Sequence, residues 1–256
     1  MSEGFVVVIP ARYGSQRFPG KPLAMLGGRP MIAHVWERAR ESGAAEVLIA
    51  TDDRRIVAVC EEFGAQVLLT ADNHVSGTDR LAEVCTQRGW ADDTIVVNLQ
   101  GDEPMMPPAL LSQVAANLME RPEADMATLA VALDDTAPLP DPNVVKVVRR
   151  EDGYAMYFSR APIPWDRDGL LATDGLAAFP DVFLRHLGIY AYRAGFLRAY
   201  PGLPPAPLER LESLEQLRAL WHGALIHVGV ASQAPEAGVD TPADLERVAR
   251  LLPPQA

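Results

Sequence analysis

The 256-residue chain is 48% apolar and carries a formal charge of −11, which suits one large α/β domain or two small ones and argues against a general nucleic-acid binder or a protein adsorbed on an anionic membrane. Its two cysteines give neither a disulfide framework nor a zinc spacing and read as small core residues. No apolar stretch approaches the ~18 residues of a membrane span, and the first apolar run is too short for a signal peptide, so a cytoplasmic location is expected.

In chain order, the apolar run Phe5–Ile9 predicts a buried strand. Met31–Glu41 predicts a helix, with Ile32, Val35, Trp36 and Ala39 on one stripe and Gly43 as its stop. Glu46–Ala50 predicts a strand, Arg54–Phe63 a helix, Gln66–Leu69 a short strand and Asp79–Gln87 a helix. Thr94–Leu99 predicts a strand, Pro108–Met119 a helix and Met126–Leu133 a strand. This alternation predicts a mainly parallel mixed sheet with helices on both faces.

Pro138, Pro140 and Pro142 then break the rhythm. Val144–Arg149 and Tyr154–Phe158 read as a hairpin around Glu151, Asp152 and Gly153. That hairpin either completes the sheet or packs on a second subunit, and the second reading favours a symmetric dimer. A long loop over 166–181 is followed by a strand at His186–Tyr192 and by one helix at Leu208–Trp221, with Leu211, Leu214, Leu217, Leu220 and Trp221 on one side. A strand at Ile226–Ala231 and a helix at Pro242–Leu252, capped by Thr241, complete the pattern.

The chemistry concentrates in the stretch from Pro10 to Pro22, which holds Arg12, Arg17 and Lys21 and no acid. A basic, Pro/Gly-stiffened loop at the carboxyl end of a first buried strand suits a polyphosphate. It is neither a Walker loop nor a G-x-G-x-x-G fingerprint. Pro19 and Pro22 keep a helix from starting at once, so loop N–H groups, Arg12 and Lys21 would hold phosphates, Arg as a fork and Lys as a point charge. Arg17 is either a third partner or solvated, and Arg29 reads as solvated.

The strand Thr94–Leu99 runs into Gln100, Gly101, Asp102 and Glu103. An acid at a strand's carboxyl end is placed to hold a hydrated magnesium ion on phosphates. Asp102 is the metal candidate, and Glu103, before Pro104, orients the turn. Asp240, in Gly238-Val239-Asp240-Thr241-Pro242, either caps the last helix or joins Asp102, with Thr241 able to do the capping instead. Thr51, Asp52 and Asp53 end the second strand. Ser76, Gly77, Thr78, Asp79 and Arg80 open a helix and either approach a base or ribose or simply cap it, the cap falling on Thr78. Arg160, Arg167, His186, Tyr190, Glu215 and Gln216 form a polar cluster in the second half, with His186 and Tyr190 on one strand face. A lone histidine of this kind is usually a satisfied core residue, as are His34, His74, His222 and His227.

Together, P-A-R-Y-G-S-Q-R-F-P-G-K-P, A-T-D-D, S-G-T-D-R, N-L-Q-G-D-E-P, Y-F-S-R-A-P-I-P-W-D-R, F-L-R-H-L-G-I-Y-A-Y-R and G-V-D-T-P-A-D-L resemble the 3-deoxy-manno-octulosonate (Kdo) cytidylyltransferase family over nearly the whole chain. The first loop is shared more widely with sugar nucleotidyltransferases, including those for sialic acids. The resemblance implies a glycosyltransferase-A-like fold with an inserted dimerisation hairpin, a cytoplasmic homodimer, and a magnesium-dependent reaction of CTP with Kdo for lipopolysaccharide biosynthesis. It implies that residues 1–256 form a single domain, 1–133 holding the nucleotide and 134–256 the sugar and the dimer contact. By the same resemblance, Ala11, Arg12, Lys21, Thr51, Ser76, Arg80, Gln100 and Asp102 hold CTP. Asp102 and Asp240 hold the metal. Gln100, Arg160, Arg167, His186, Tyr190, Glu215 and Gln216 hold the sugar acid, and Arg12, Lys21, Asp102 and Asp240 carry the reaction. A transferase for another acidic sugar, or an inactive nucleotide-binding protein on the same fold, remains a rival. The missing glycine fingerprint counts against a Rossmann dehydrogenase.

Overall fold

A computed structural model of the chain describes residues 4–14 and 18–252. Strand β1 (Phe5–Ala11) is the apolar run expected from the sequence, two residues longer. Its side chains alternate between two cores: Phe5, Val7 and Ile9 enter one, and Val6 and Val8 enter the other. Burial on both faces is why the strand reads as an unbroken apolar run.

A 3-10 turn at Lys21–Leu23 and a small hairpin, β2 (Met25–Leu26) and β3 (Arg29–Pro30), lead into α1 (Met31–Glu41). The turn forms with Pro22 inside it, at a position where the missing N–H costs nothing. Then come β4 (Glu46–Thr51), α2 (Arg54–Glu62), β5 (Gln66–Leu69), α3 (Gly77–Arg88), β6 (Ile95–Asn98), α4 (Pro108–Met119) and β7 (Met126–Ala132). The second half holds β8 (Lys146–Arg149), β9 (Ala155–Ser159), α5 (Leu170–Asp174), β10 (Leu184–Arg193), α6 (Ala194–Ala199), α7 (Pro207–Glu212), α8 (Gln216–Trp221), β11 (Ile226–Val230) and α9 (Pro242–Leu251).

Among the described residues the main sheet has nine strands, in the order β11-β7-β10-β6-β1-β4-β5, with β8 paired to β10 and β9 to β8. β1, β4, β5 and β6 run parallel, as do β7 and β11. β10 is antiparallel to both its neighbours, β6 and β7. The hairpin β8–β9 is therefore part of the sheet. Residues of α1, α2 and α4 fill one core, and residues of α3, α6 and α8 fill the other. Cys60 and Cys85 are buried in these cores, and burial pushes both thiols up to about 12.

The expected single helix over 208–221 is two. Ser213 takes a left-handed conformation (φ 50°) between α7 and α8. Arg160 explains the break. Its Nε donates to the Glu212 carbonyl (2.6 Å) and its guanidinium also to the Ser213 carbonyl (3.4 Å), so these groups are satisfied without continuing the helix. Leu211 accordingly points to solvent, 83% exposed, while Leu214 and Leu217 are buried. The loop expected over 166–181 contains α5 and a 3-10 turn at Leu176–Ala178. Among the described residues no helix is long and apolar enough to cross a membrane.

Candidate active site

The carboxyl ends of β1 and β6 lie side by side, and the loops leaving them form one wall of a cleft of about 470 Å³. Ala11, Arg12, Lys21, Gln100, Asp102 and Asp240 line it. The two loops touch closely: a β-carbon at Gly101 would sit 2.9 Å from the Pro10 carbonyl oxygen, so only glycine fits there.

Lys21 Nζ donates to Asp102 Oδ2 (2.6 Å), to the Val239 carbonyl (3.0 Å) and to Asp240 Oδ1 (3.4 Å). Two carboxylates 138 residues apart thus meet at one ammonium. The backbone fixes the meeting, because Val239 N–H donates to the Asp102 carbonyl (2.9 Å). Thr241 caps α9 in a reciprocal box with Asp244, and the Asp240 carboxylate turns to Lys21. Glu103 packs under the same loop, where a β-carbon at Gly238 would fall 2.9 Å from its Oε1. Burial, then the charges of Asp102 and Asp240, push the Glu103 carboxyl up to about 8. Among the described residues no group of three or more His, Cys, Asp or Glu is arranged to hold a metal ion by itself.

A second lobe of about 310 Å³ continues from Pro10, Ala11, Arg12 and Gln100 to Ser76, Gly77, Arg80 and Glu215. Arg80 is nearly buried, and its guanidinium donates to Asp52 Oδ2 (2.6 Å) and to the Thr70 hydroxyl. Ser76, not Thr78, is the helix cap: its hydroxyl accepts from Asp79 N–H, and the Asp79 carboxylate accepts from Ser76 N–H. Thr78 instead faces a third lobe.

That lobe, of about 50 Å³, is lined by Gln100, Asn98, Thr78, Tyr190, Glu215 and Gln216 among others. The break between α7 and α8 places Glu215 and Gln216 here, at the start of α8. Burial pushes the Glu215 carboxyl up, against the pull of the Thr78 and Ser76 hydroxyls. His186 and Tyr190 share a face of β10 despite a bulge after Leu187, their rings 5.3 Å apart. His186 Nε2 lies 3.0 Å from Thr128 Oγ1. The Thr128 hydroxyl can give its one proton to the Ile189 carbonyl (2.7 Å) or the Leu187 carbonyl (3.1 Å), so His186 is the donor to Thr128 through Nε2. Phe158 and Tyr190 pack against the half-buried ring, and desolvation, then Arg185, lowers its pKa to about 3.

Three of the residues expected to contact ligand are engaged within the chain. Thr51 is fully buried at the end of β4, where its hydroxyl accepts from Asp53 N–H (3.2 Å). Arg160 is engaged by the carbonyls of Glu212, Ser213 and Pro142. Arg167 is 86% exposed and pairs with the adjacent Asp168. Ser15, Gln16 and Arg17 lie outside the described residues. Arg29 pairs with Glu37, and His34, His74 and His222 are each bonded locally, to Leu26, Glu83 and Pro204. Asn98 was not singled out from the sequence, though a lone amide inside the apolar run Ile95-Val96-Val97-Asn98-Leu99 is a signal.

A family model described as cytidylyltransferase matches residues 6–226. The chain is 60% identical to a 3-deoxy-manno-octulosonate cytidylyltransferase of Pseudomonas syringae pv. tomato, over 98% of this chain and 99% of that one. It is also 60% identical to one of Alkalilimnicola ehrlichii, over 100% and 98%. A solved CMP:2-keto-3-deoxy-manno-octonic acid synthetase complexed with CTP is 44% identical, with a TM-score of 0.87 over 97% of this chain and 98% of that one. A Bacillus anthracis protein described as a glucose-1-phosphate thymidylyltransferase, 17% identical with a TM-score of 0.64, shares the fold. On this match across its whole length, the chain belongs to the 3-deoxy-manno-octulosonate cytidylyltransferase family.

Proposed function

We propose that the protein transfers the cytidylyl group of CTP to Kdo and releases pyrophosphate. The observation that carries this reading is the convergence of Asp102 and Asp240 on Lys21, in a cleft joined through Gln100 to a separate polar cavity. The first lobe suits a triphosphate and the second a nucleoside, while the third, lined by hydroxyl and amide groups, suits hydroxyls of the sugar entering past Gln100. The solved relative bound to CTP supports the nucleotide half of this reading.

The sugar's anomeric hydroxyl attacks the α-phosphorus of CTP in line. A new phosphorus–oxygen bond forms as the bond to the pyrophosphate oxygen breaks, and the hydroxyl proton is lost to solvent. Arg12 and Lys21 hold the phosphates and take up the charge that gathers on the leaving pyrophosphate. Gln100, Tyr190, Glu215 and Gln216 orient the sugar, which lowers the entropic part of the barrier. His186, neutral and protonated on Nε2, offers Nδ1 as an acceptor only. No enzyme nucleophile is needed. Asp102 and Asp240 are hard oxygen donors on one ammonium, a set that suits magnesium, which when bound would neutralise phosphate charge and acidify the attacking hydroxyl.

The reading extends to a single domain in which residues 1–133 mainly hold the nucleotide and 134–256 the sugar acid. It also extends to a cytoplasmic homodimer serving lipopolysaccharide assembly, with the exposed Met156 of β9 at the subunit contact. Sedimentation of the wild type and of Met156→Glu tests the dimer. Pyrophosphate release from CTP with Kdo and with other sugar acids tests the reaction. Release with Kdo is expected, and no release with any acid would overturn the proposal. Asp102→Asn should nearly abolish turnover without loss of fold. Wild-type turnover by that variant at limiting magnesium would overturn the metal assignment.

A further inference from the structure

Buried polar side-chain atoms without a partner are costly, and they point to what a cavity is built to receive. Among the described residues such atoms include Asn98 Oδ1, Glu215 Oε1 and Gln216 Nε2. All three residues line the same cavity of about 50 Å³. Asn98 is only 2% exposed, held in the middle of the sheet opposite Tyr190.

Two acceptors and one donor define the missing group. Asn98 Oδ1 and the Glu215 carboxylate oxygen want protons, and Gln216 Nε2 offers one. One water matches this set, giving two protons and accepting one bond, and it fits a cavity of this size. A hydroxyl entering from the wider lobe at Gln100 matches it partly, and two neighbouring hydroxyls match it fully. An apolar group that displaced the water would leave every one of these atoms unpaired, as would a deoxy analogue that excludes it.

We propose that Asn98 is a specificity-determining residue for the acceptor. With Glu215 and Gln216 it forms a socket for an O–H donor, taken by a hydroxyl of the sugar acid in the complex and by water in the free protein. The inference rests on reading this cavity as the acceptor pocket, and it adds a residue and a chemical criterion to that reading.

Steady-state kinetics of Asn98→Ala with CTP, Kdo and analogues of Kdo each lacking one hydroxyl test it. The KM for Kdo should rise by about tenfold, the value of one lost hydrogen bond of ordinary strength. The KM for CTP should stay within about twofold. At least one deoxy analogue should be discriminated against by the wild type and no longer by the variant. An unchanged KM for Kdo overturns the proposal, as does an equal rise in both KM values. So does an unchanged ratio between Kdo and every analogue. If Asn98→Ala does not fold, the isosteric Asn98→Asp must show the same change confined to the acceptor. Crystals of the free protein and of the Kdo complex separate the two sources of the O–H group. A water in the first replaced by a sugar hydroxyl in the second supports direct reading. A water kept beside bound sugar overturns direct reading of a sugar hydroxyl, and a cavity dry in both overturns the socket. A wild type that releases no pyrophosphate from CTP and Kdo defeats the parent reading, whereas an active wild type with a neutral Asn98→Ala defeats only this one.

Discussion

Lowering the pH from about 7.5 to about 5 should destabilise the protein by roughly 2 kcal/mol through one side chain, His186. Its imidazole titrates near 6.5 in the unfolded chain and is held down to about 3 in the fold by burial and then by Arg185. A depressed histidine stabilises the fold above its unfolded pKa, and that contribution is lost as the pH falls towards the folded value. At about pH 5 the unfolded ring has taken a proton and the native ring has not. The cost is 2.3RT per pH unit below 6.5, hence about 2 kcal/mol. The perturbation that isolates it is His186→Gln, whose amide keeps a donor at similar reach to Thr128 Oγ1 and has nothing to titrate. Urea unfolding of both proteins at the two pH values is the assay. Because the other histidines are common to both, the stability difference between wild type and variant should shift by about 2 kcal/mol in the variant's favour at the lower pH. Parallel pH profiles for the two proteins would refute the reasoning, since the ring would then be protonated in the fold.

Three further outcomes follow from single side chains. Arg55 stacks 3.4 Å above the Tyr13 ring and is held there by Asp53, so it braces the phosphate loop from outside. Arg55→Ala should raise the KM for CTP by roughly two- to fivefold, the worth of an exposed cation–π contact, and leave that for Kdo alone; an unchanged CTP value would refute the brace. Lys146 is fully buried and its ammonium donates to the carbonyls of Asp141, Val144 and Arg160 (2.9, 2.6 and 2.6 Å). Lys146→Met orphans all three, partly offset by removing a buried charge, and should cost roughly 2–4 kcal/mol in urea unfolding; equal stability would refute this. Glu103 is the opposite pH case, a carboxyl raised from 4.5 to about 8. Its contribution is complete below 4.5 and is lost as the pH rises through 8, so in metal-free buffer Glu103→Gln should melt higher than wild type at about pH 9, and coincident melts would contradict it.

What could be read from the sequence was what is local. The apolar run of β1, the stripe of α1 and the Thr241 cap of α9 are patterns within a dozen residues, and each is where it was expected. The residue types of the cleft were legible too, because Arg12, Lys21, Asp102 and Asp240 sit in loops after strands. Their meeting was not, since Lys21 and Asp240 are separated by 219 positions and no spacing rule reaches that far. The stripe from Leu211 to Trp221 predicted one helix, and a tertiary contact from Arg160 overrode it. Strand order was also hidden: alternation announces a parallel sheet without saying that β10 enters it reversed. Nothing local to Arg160 announces that its side chain bonds the carbonyls of Glu212, Ser213 and Pro142, because the first two depend on the broken helix.

The central place of β10 bears on how the chain is made. Its neighbours β6 and β7 are finished by residue 132, whereas β10 ends at Arg193. During synthesis the ribosome must deliver some sixty more residues before the slot between them is filled. Throughout that interval two apolar strand edges are bare in the nascent chain, the condition that invites aggregation and chaperone capture. The same gap makes a natural cleavage point for a two-piece enzyme: fragments divided in the proline-rich stretch near residue 138 should be inert apart and regain activity when mixed.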